Sequence, residues 1–294
     1  ESEAKVSVYD LGVMQAAAVF EMTRSFNGVT FQLRPHLDRL LRSMQMLNIG
    51  SPSPESFVDH MELLCREVIA RNDHGPGEEH RLLIVVSPGP APMYREIAGA
   101  GPTVLITDFP LRYTTAGLGR QFTEGGTAIV SSIRQVPDAC VPSSAKHRSR
   151  LHFHLAQEEA TRKGADWAIL LDTYNCVTEC PGANIFMVED GVLFTLEDNC
   201  LQGISRAFVM EWARTDARHC VQRYISVARL MHASEIFVSG TPFCVLPLVK
   251  IGDRVIGDGT PGTVYKKLLA AWSNSVGVGI AEQIQAWDAA AVCR

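Results

Sequence analysis

Apolar and polar positions in the first hundred residues follow helical and strand periods in turn. Leucines and methionines recur at helical spacing over 36–47, which predicts an amphipathic helix, and the pattern over 57–71 predicts a second helix. Asn27-Gly28 predicts a hairpin turn followed by a returning strand. The strands predicted from short β-branched and apolar runs in this part are 29–33, 82–87 and 103–107.

The rest of the chain also mixes strand and helix patterns, which favours two α/β or α+β domains over a β-sandwich. We expect an N-terminal domain of residues 1–112, a linker rich in Thr and Gly at 113–119, and a larger C-terminal domain of residues 120–294. The predicted elements of the second domain are helices at 148–162, 205–214 and 265–272, and strands at 127–133, 167–172, 184–188, 192–195, 236–239 and 245–249.

Charge and apolar run lengths exclude some classes of function. The 294 residues carry 27 Lys plus Arg against 32 Asp plus Glu, so no overall positive field exists to hold a nucleic acid. No apolar run approaches the roughly 18 residues that span a bilayer, so no membrane segment is expected. Eight scattered cysteines without a Cys-x-x-Cys pair favour a reducing compartment. We therefore expect a soluble, cytoplasmic protein.

Lysine is scarce in this chain, which narrows the search for a reactive amine. Only six of the 27 basic residues are Lys. Lys146 follows a Pro-containing loop and precedes His147, Arg148 and Arg150. Neighbouring cations and burial both disfavour an ammonium, which is how a lysine becomes a nucleophile at neutral pH. The alternative for Lys146 is a solvated lysine at a helix end.

Three further segments are candidates for binding a cofactor. Glu179 lies just beyond an apolar strand, where a buried carboxylate could keep a heterocyclic nitrogen protonated; the alternative is a turn glutamate. Residues 203–206 precede an apolar run and predict a helix N-terminus, whose amides and dipole suit phosphate, although Gly before Ser is also an ordinary cap. Residues 239–242 follow a strand and form either part of a phosphate cup or a plain turn.

The sequence predicts no metal site. His152 and His154 stand two positions apart on a predicted helix and so point to different faces, and Cys176 and Cys180 add no ligand pair with zinc spacing. The chain also lacks the Gly-x-Ser-x-Gly motif of a serine nucleophile and the Walker A motif.

Eight separated motifs run in one order through nearly the whole chain, at 10–12, 19–21, 36–40, Lys146, Glu179 with 184–186, 201–206, 240–241 and 256–259. In this order they resemble the class IV pyridoxal-phosphate aminotransferases, which include branched-chain aminotransferases, D-amino-acid aminotransferases and aminodeoxychorismate lyases. The resemblance implies a two-domain α/β enzyme of fold type IV, similar to D-amino-acid aminotransferase, with the cofactor between the domains. It also implies a homodimer.

The resemblance assigns roles to individual residues. Lys146 would hold pyridoxal phosphate as a Schiff base and, once substrate has released it, would move the proton between the substrate Cα and the cofactor. Glu179 would pair with the pyridine nitrogen and keep it protonated. The groups that would bind the phosphate are Arg39, the backbone of Ile204 and Ser205, and Thr241.

On the substrate side this chain departs from the family pattern. Residues 16–18 are all Ala where members often have Gly-Asp-Gly, and the tyrosine that often follows the lysine is missing. We hypothesise that Arg150 replaces the hydrogen bond of that tyrosine. Tyr94 and Arg95 lie in a segment that resembles the carboxylate-binding loop of the D-amino-acid branch. Arg95 could bind an α-carboxylate through two hydrogen bonds, or be an ordinary surface arginine.

These resemblances imply a ping-pong aminotransferase that passes an amino group from a small, branched-chain or other apolar amino acid to a 2-oxo acid. Three alternatives stay open. They are a lyase that releases pyruvate through the same Lys146, a D-amino-acid aminotransferase, and a degenerate member that only binds cofactor. The joint presence of Lys146, Glu179 and Arg39 argues against the last alternative.

Overall fold

The computed structural model describes residues 4–50 and 53–292, and it divides into two compact units. The first unit holds the described residues up to Pro110 together with Ala145–Arg150. The second holds Leu111–Ser144 and the described residues from Leu151 onward. The segment that carries Lys146 thus belongs to the first unit, whereas the sequence places it in the C-terminal domain. No helix among the described residues is both long and apolar enough to cross a bilayer.

The first unit is an antiparallel sheet with two long helices on one face. Its described residues form α1 (Leu11–Gln15), β1 (Val19–Phe26), β2 (Val29–Thr30), α2 (Leu33–Met46), α3 (Pro54–Ala70), β3 (His80–Ser87), a 3₁₀ turn (Pro92–Tyr94), α4 (Arg95–Ala98) and β4 (Thr103–Pro110). The strand order is β2, β1, β3, β4. Alternate residues of β3, including Leu82 and Ile84, pack in one apolar cluster with Leu37 and Leu40 of α2 and Met61 of α3.

The predicted hairpin is confirmed, but the strand after it is shorter than predicted. Asn27 and Gly28 both have positive φ, as a tight hairpin turn requires. The returning strand has two residues, and α2 begins at Leu33 rather than at position 36. Gln32 has a left-handed backbone with φ of 53°, which interrupts the extended run and lets the helix begin at the next residue.

The second unit is built around one mixed sheet. Its described residues form α5 (Arg112–Thr115), α6 (Gln121–Glu124), β5 (Gly126–Arg134), α7 (Leu151–Arg162), β6 (Trp167–Leu171), β7 (Asn184–Glu189), β8 (Val192–Thr195), α8 (Ile204–Thr215), β9 (Cys220–Gln222), α9 (Val227–Leu230), β10 (Glu235–Gly240), β11 (Cys244–Ile251), β12 (Arg254–Val255), α10 (Thr263–Val276) and α11 (Ile280–Val292). The strand order is β6, β5, β11, β10, β7, β8, β9, with β12 paired to β11. Helices and sheet in both units confirm the predicted α/β class.

Residues 113–119, which the sequence predicts as a linker, contain the end of α5 and a turn that is bound to α11. The carboxylate of Asp288 accepts hydrogen bonds from the backbone N–H of Gly117 (2.8 Å) and of Gly119 (2.7 Å). Leu111, just before this stretch, is fully buried. These contacts place the stretch within the second unit.

Candidate active site

Glu21 of β1 is fully buried beside two side chains of α2. Arg39 donates to it from Nε to Oε1 (2.6 Å) and from Nη2 to Oε2 (2.8 Å), and His36 Nδ1 lies 2.7 Å from Oε2. Burial raises the pKa of Glu21, but the charge of Arg39 and the hydrogen bonds from Arg39 and His36 outweigh burial and hold this pKa well below its usual range. The ionised Glu21 therefore fixes the plane of the Arg39 guanidinium.

His36 is the neutral member of this buried group. Burial lowers its pKa from the usual 6.5, and the positive charges of Arg39 and Lys146 lower it further, against the opposing effect of Glu21. At neutral pH the imidazole is therefore uncharged and donates from Nδ1 to the carboxylate. The sequence alone assigns a role to Arg39 but none to Glu21 or His36. Two signals point to them: a charged residue stands within apolar β1, and the three-residue spacing of His36 and Arg39 puts both on one helix face.

Lys146 is held through its backbone on two sides. Its carbonyl accepts a hydrogen bond from Phe20 N–H (2.9 Å), and its own N–H donates to Ser43 Oγ of α2 (3.1 Å). Arg148 N–H donates to the carbonyl of Ala18 (2.8 Å), so residues 146–148 run extended along β1. This pairing also explains why α7 begins at Leu151 and not at the predicted position 148.

The side chain of Lys146 lies over an aromatic ring that two arginines share. Its Nζ is 4.7 Å from the centre of the Phe20 ring, while the guanidinium carbons of Arg148 and Arg150 lie 5.1 and 5.6 Å from the same centre. Lys146 is half-buried. The structure therefore brings Lys146 and Arg150 together, and it disagrees with the alternative of a solvated lysine at a helix end.

Glu179 lies after β6, in the segment that leads to β7, and is only 6% exposed. Its Oε2 accepts a hydrogen bond from the backbone N–H of Leu201 (3.2 Å). The burial of Glu179 favours a carboxylate that binds a cofactor over an ordinary turn glutamate, because a turn glutamate would be solvated. Burial first, and the charge of Glu179 second, raise the pKa of the Cys200 thiol to about 12, so this neighbour stays protonated at neutral pH.

The N-terminus of α8 has an open backbone beside Asn184. Gly203 caps the helix with extended φ and ψ, and no side chain caps it. A Cβ at Gly203 would lie 2.1 Å from Asn184 Oδ1, so only glycine fits this close approach. Asn184 in turn donates from Nδ2 to the carbonyl of Leu201 (2.8 Å). The amides of Ile204 and Ser205 thus begin a twelve-residue helix at its positive end.

The end of β10 lies next to the same asparagine. Ser239 is paired with Asn184 across β10 and β7, and a Cβ at Gly240 would lie 3.0 Å from the carbonyl oxygen of Gly182. Ser239 Oγ is buried and has no hydrogen-bond partner among the described residues. Thr241 follows and is half-buried. Asn184 is therefore next to both the α8 N-terminus and the 239–241 turn. The Ser239 hydroxyl is a buried hydrogen-bond donor that suits an anion at the helix end.

Tyr94 and Arg95 lie in the first unit at the start of α4. The ring of Tyr94 packs on Tyr9 with 4.4 Å between ring centres. Arg95 is exposed and makes no ion pair with any described residue. Its guanidinium is thus available to an external carboxylate.

Comparison with known proteins gives a consistent result. Residues 18–251 match the family described as amino-transferase class IV. The branched-chain-amino-acid aminotransferase of Escherichia coli K12 is 31% identical over 278 residues, which cover 92% of this chain and 87% of that protein. A crystal structure of the Escherichia coli branched-chain amino acid aminotransferase matches with a TM-score of 0.84 and 27% identity, over 93% of this chain and 90% of that one. A branched-chain aminotransferase from Thermoproteus uzoniensis, solved with norvaline, matches with a TM-score of 0.81 and 29% identity, over 98% and 94%.

Proposed function

Because the chain belongs to the class IV aminotransferase family, we propose that it transfers the amino group of a branched-chain or other small apolar amino acid to a 2-oxo acid with pyridoxal phosphate. The observation that carries this proposal is Lys146, an amine fixed through its backbone to β1 and α2. The branched-chain aminotransferases matched above favour this activity over the lyase and D-amino-acid alternatives.

The described residues suit each polar group of pyridoxal phosphate. The Lys146 amine suits the aldehyde, and the buried Glu179 carboxylate suits a protonated ring nitrogen. The α8 N-terminus suits the phosphate, together with the Ser239 hydroxyl, which has no hydrogen-bond partner in the described part of the chain. When bound, this cofactor supplies an electron sink for the electron pair left on the substrate Cα.

Lys146 has two successive tasks in this proposal. Its Nζ would hold the cofactor through the aldehyde and, when free, would accept the proton from the substrate Cα. The hydrogen bonds of the Lys146 carbonyl and N–H do not involve Nζ, so the residue keeps its position when Nζ is released. The same Nζ would then deliver this proton to the cofactor carbon that came from the aldehyde, and water would release the 2-oxo acid.

Glu179 and four other residues hold the cofactor in this proposal. Glu179 pairs with the ring nitrogen and keeps it protonated. Arg39 binds the phosphate through its guanidinium, whose plane is fixed by the two hydrogen bonds to Glu21. The backbone N–H groups of Ile204 and Ser205 and the hydroxyl of Thr241 bind further phosphate oxygens.

Arg95 is the proposed ligand of the substrate α-carboxylate, with Tyr94 beside it. Arg95→Ala should raise the KM for the amino acid by about tenfold or more with little effect on kcat, because a charge-assisted contact to the substrate is lost. Arg71→Ala, which removes an exposed arginine at the end of α3, is the matched control. An unchanged KM in the Arg95 variant would show that Arg95 does not bind the substrate.

We also propose that the enzyme is a homodimer. Light scattering on the purified protein should give twice the chain mass. A fully active monomer would refute this proposal.

Absorbance spectroscopy with and without substrate tests the function. The purified protein with pyridoxal phosphate should show the band of a lysine-bound cofactor, which L-leucine shifts to that of the pyridoxamine form and a 2-oxo acid restores. Lys146→Ala should abolish the band, while Lys250→Ala, at an exposed position of β11, should keep it. A spectrum that no L-amino acid changes would refute the proposed activity. A spectrum that only D-amino acids change would identify the protein as a D-amino-acid aminotransferase instead.

A further inference from the structure

Two imidazoles and a carboxylate converge in the first unit, at residues with no role in the proposed reaction. His74 Nε2 lies 3.1 Å, and His80 Nδ1 lies 2.7 Å, from the same Oδ2 atom of Asp108. The three potential ligand atoms all lie within 4.8 Å of one another. Among the residues that the structure describes, this is the one group of three such side chains.

The fold brings these residues together from three segments. Asp108 of β4 is paired with Leu82 of β3, and His80 stands two positions before Leu82, so His80 and Asp108 project from the same face of the sheet. His74 belongs to the loop between α3 and β3. A hydrogen bond from Gly75 N–H to Asp73 Oδ1 (2.8 Å) and the positive φ of Gly75 turn this loop back toward the sheet.

The carboxylate of Asp108 is buried and only partly hydrogen-bonded by the residues that the structure describes. Its side chain is fully buried, and its Oδ1 has no hydrogen-bond partner among the described residues. A buried carboxylate oxygen without a partner is energetically costly. The side chains of His74 and His80 are 12% and 14% exposed, so solvent reaches the edge of this group.

We propose that His74, His80 and Asp108 bind a divalent transition-metal ion, Zn²⁺ in the first instance, with water completing the coordination. Two imidazole nitrogens and one carboxylate oxygen are ligands that zinc takes in open three-residue sites. Tetrahedral ligands at the usual zinc distances are about 3.3 Å apart. To reach this spacing the ring nitrogens of His80 and His74, which lie 2.7 and 3.1 Å from Oδ2, move outward from it by about 0.6 and 0.2 Å. Each ring then carries its proton on the other nitrogen.

The bound ion has a structural task in this proposal. It ties the loop after α3 to β3 and β4, and it gives the buried carboxylate of Asp108 a counter-charge. The residues from which the sequence predicts no metal site are His152, His154, Cys176 and Cys180. None of these four residues takes part in the site proposed here.

Metal titration of the holoenzyme tests this proposal. After dialysis against a chelator, the protein should bind one Zn²⁺ per chain in calorimetry, and Co²⁺ in its place should give the visible bands of a four-coordinate ion. His74→Asn and Asp108→Asn should each weaken Zn²⁺ binding at least about tenfold, because each removes a direct ligand. His60→Asn, at an exposed position of α3, is the matched control and should bind as the wild type does.

A second readout separates ligand loss from misfolding. Zn²⁺ should raise the Tm of the wild type and of His60→Asn but not that of His74→Asn. The cofactor band shows that each variant is folded. Absence of saturable binding by the wild type, or equal binding by the wild type and both ligand variants, would overturn the proposal.

Discussion

Glu21 holds Arg39 along one edge of its guanidinium, with both side chains at most 5% exposed. The two hydrogen bonds, of 2.6 and 2.8 Å, join charges that water does not reach. Because the pair is formed within the protein, the plane of Arg39 is set before any phosphate binds, which reduces the cost of binding. Each member of such a buried pair also depends on the other for its charge compensation.

Glu21→Gln tests this dependence, since it removes the charge and keeps the shape. The free energy of unfolding should fall by about 3–5 kcal/mol, because Arg39 then loses the counter-charge beside it. Affinity for pyridoxal phosphate should fall as well. Urea unfolding measures the first effect, and cofactor titration the second. Glu67→Gln, which breaks an exposed ion pair with Arg71, should change neither quantity. Wild-type stability in Glu21→Gln would show that the pair contributes nothing.

Glu179→Gln should lower kcat by about a hundredfold, as expected when a group that stabilises charge at the reacting centre is lost. An amide cannot keep the ring nitrogen protonated, so the electron sink is weakened while the cofactor stays bound. Steady-state kinetics with L-leucine measures the effect, and Glu197→Gln, at an exposed position, is the control. A kcat within about threefold of the wild type would remove Glu179 from the reaction.

Gly203→Ala should weaken cofactor binding and destabilise the protein by about 1–3 kcal/mol, because the new Cβ would lie 2.1 Å from Asn184 Oδ1. The φ of −68° at this residue suits alanine, so the clash accounts for the effect. Gly50→Ala is the matched control, since its Cβ would meet no atom within 4 Å. Cofactor affinity and urea unfolding are the measurements. Equal results for the two alanine variants would show that α8 accommodates the methyl group.

Stability should fall in two steps on acidification. The pKa of His36 is below its usual 6.5 in the folded protein, so the unfolded chain gains a proton first and stability is lost as the pH falls through 6.5. Burial lowers the pKa of His147 and adds a loss of the same sign. The pKa of Glu21 lies below its usual 4.5, so its contribution is lost as the pH falls below that value.

His36→Asn isolates the first step. The slope of unfolding free energy between pH 7 and 5 should decrease by up to about 1.4 kcal/mol per pH unit. Urea unfolding at a series of pH values measures the slope, and His60→Asn should leave it unchanged. The same slope in His36→Asn as in the wild type would assign the acid sensitivity to another group.

Arg150→Gln tests whether this arginine replaces the missing tyrosine. We expect the absorbance maximum of the bound cofactor to shift, since a hydrogen bond to its phenolic oxygen is lost. Arg148→Gln removes an equal charge beside the same Phe20 ring and should cause a smaller shift. Equal shifts of the absorbance maximum in the two variants would show that Arg150 acts only through its charge and not through a hydrogen bond to the cofactor.

Most long elements of both units are predictable from local pattern, because burial of one face imposes its period on the sequence. The strand Val192–Thr195 is predicted to the residue, and α8 and β10 within one residue at each end. The short β9 and β12 escape prediction, since two or three residues carry no period and owe their conformation to the neighbouring strand.

Some residues of the candidate sites can also be predicted from the sequence, and others cannot. Lys146 and Glu179 can be singled out from composition, position after a strand and order along the chain. The partners of Arg39 cannot, and neither can the group of His74, His80 and Asp108, whose members lie up to 34 positions apart. These hydrogen bonds depend on how β1 packs on α2 and on the register of β3 with β4. Packing and register are set by the joint burial of apolar side chains from distant parts of the chain, so no local pattern reports them.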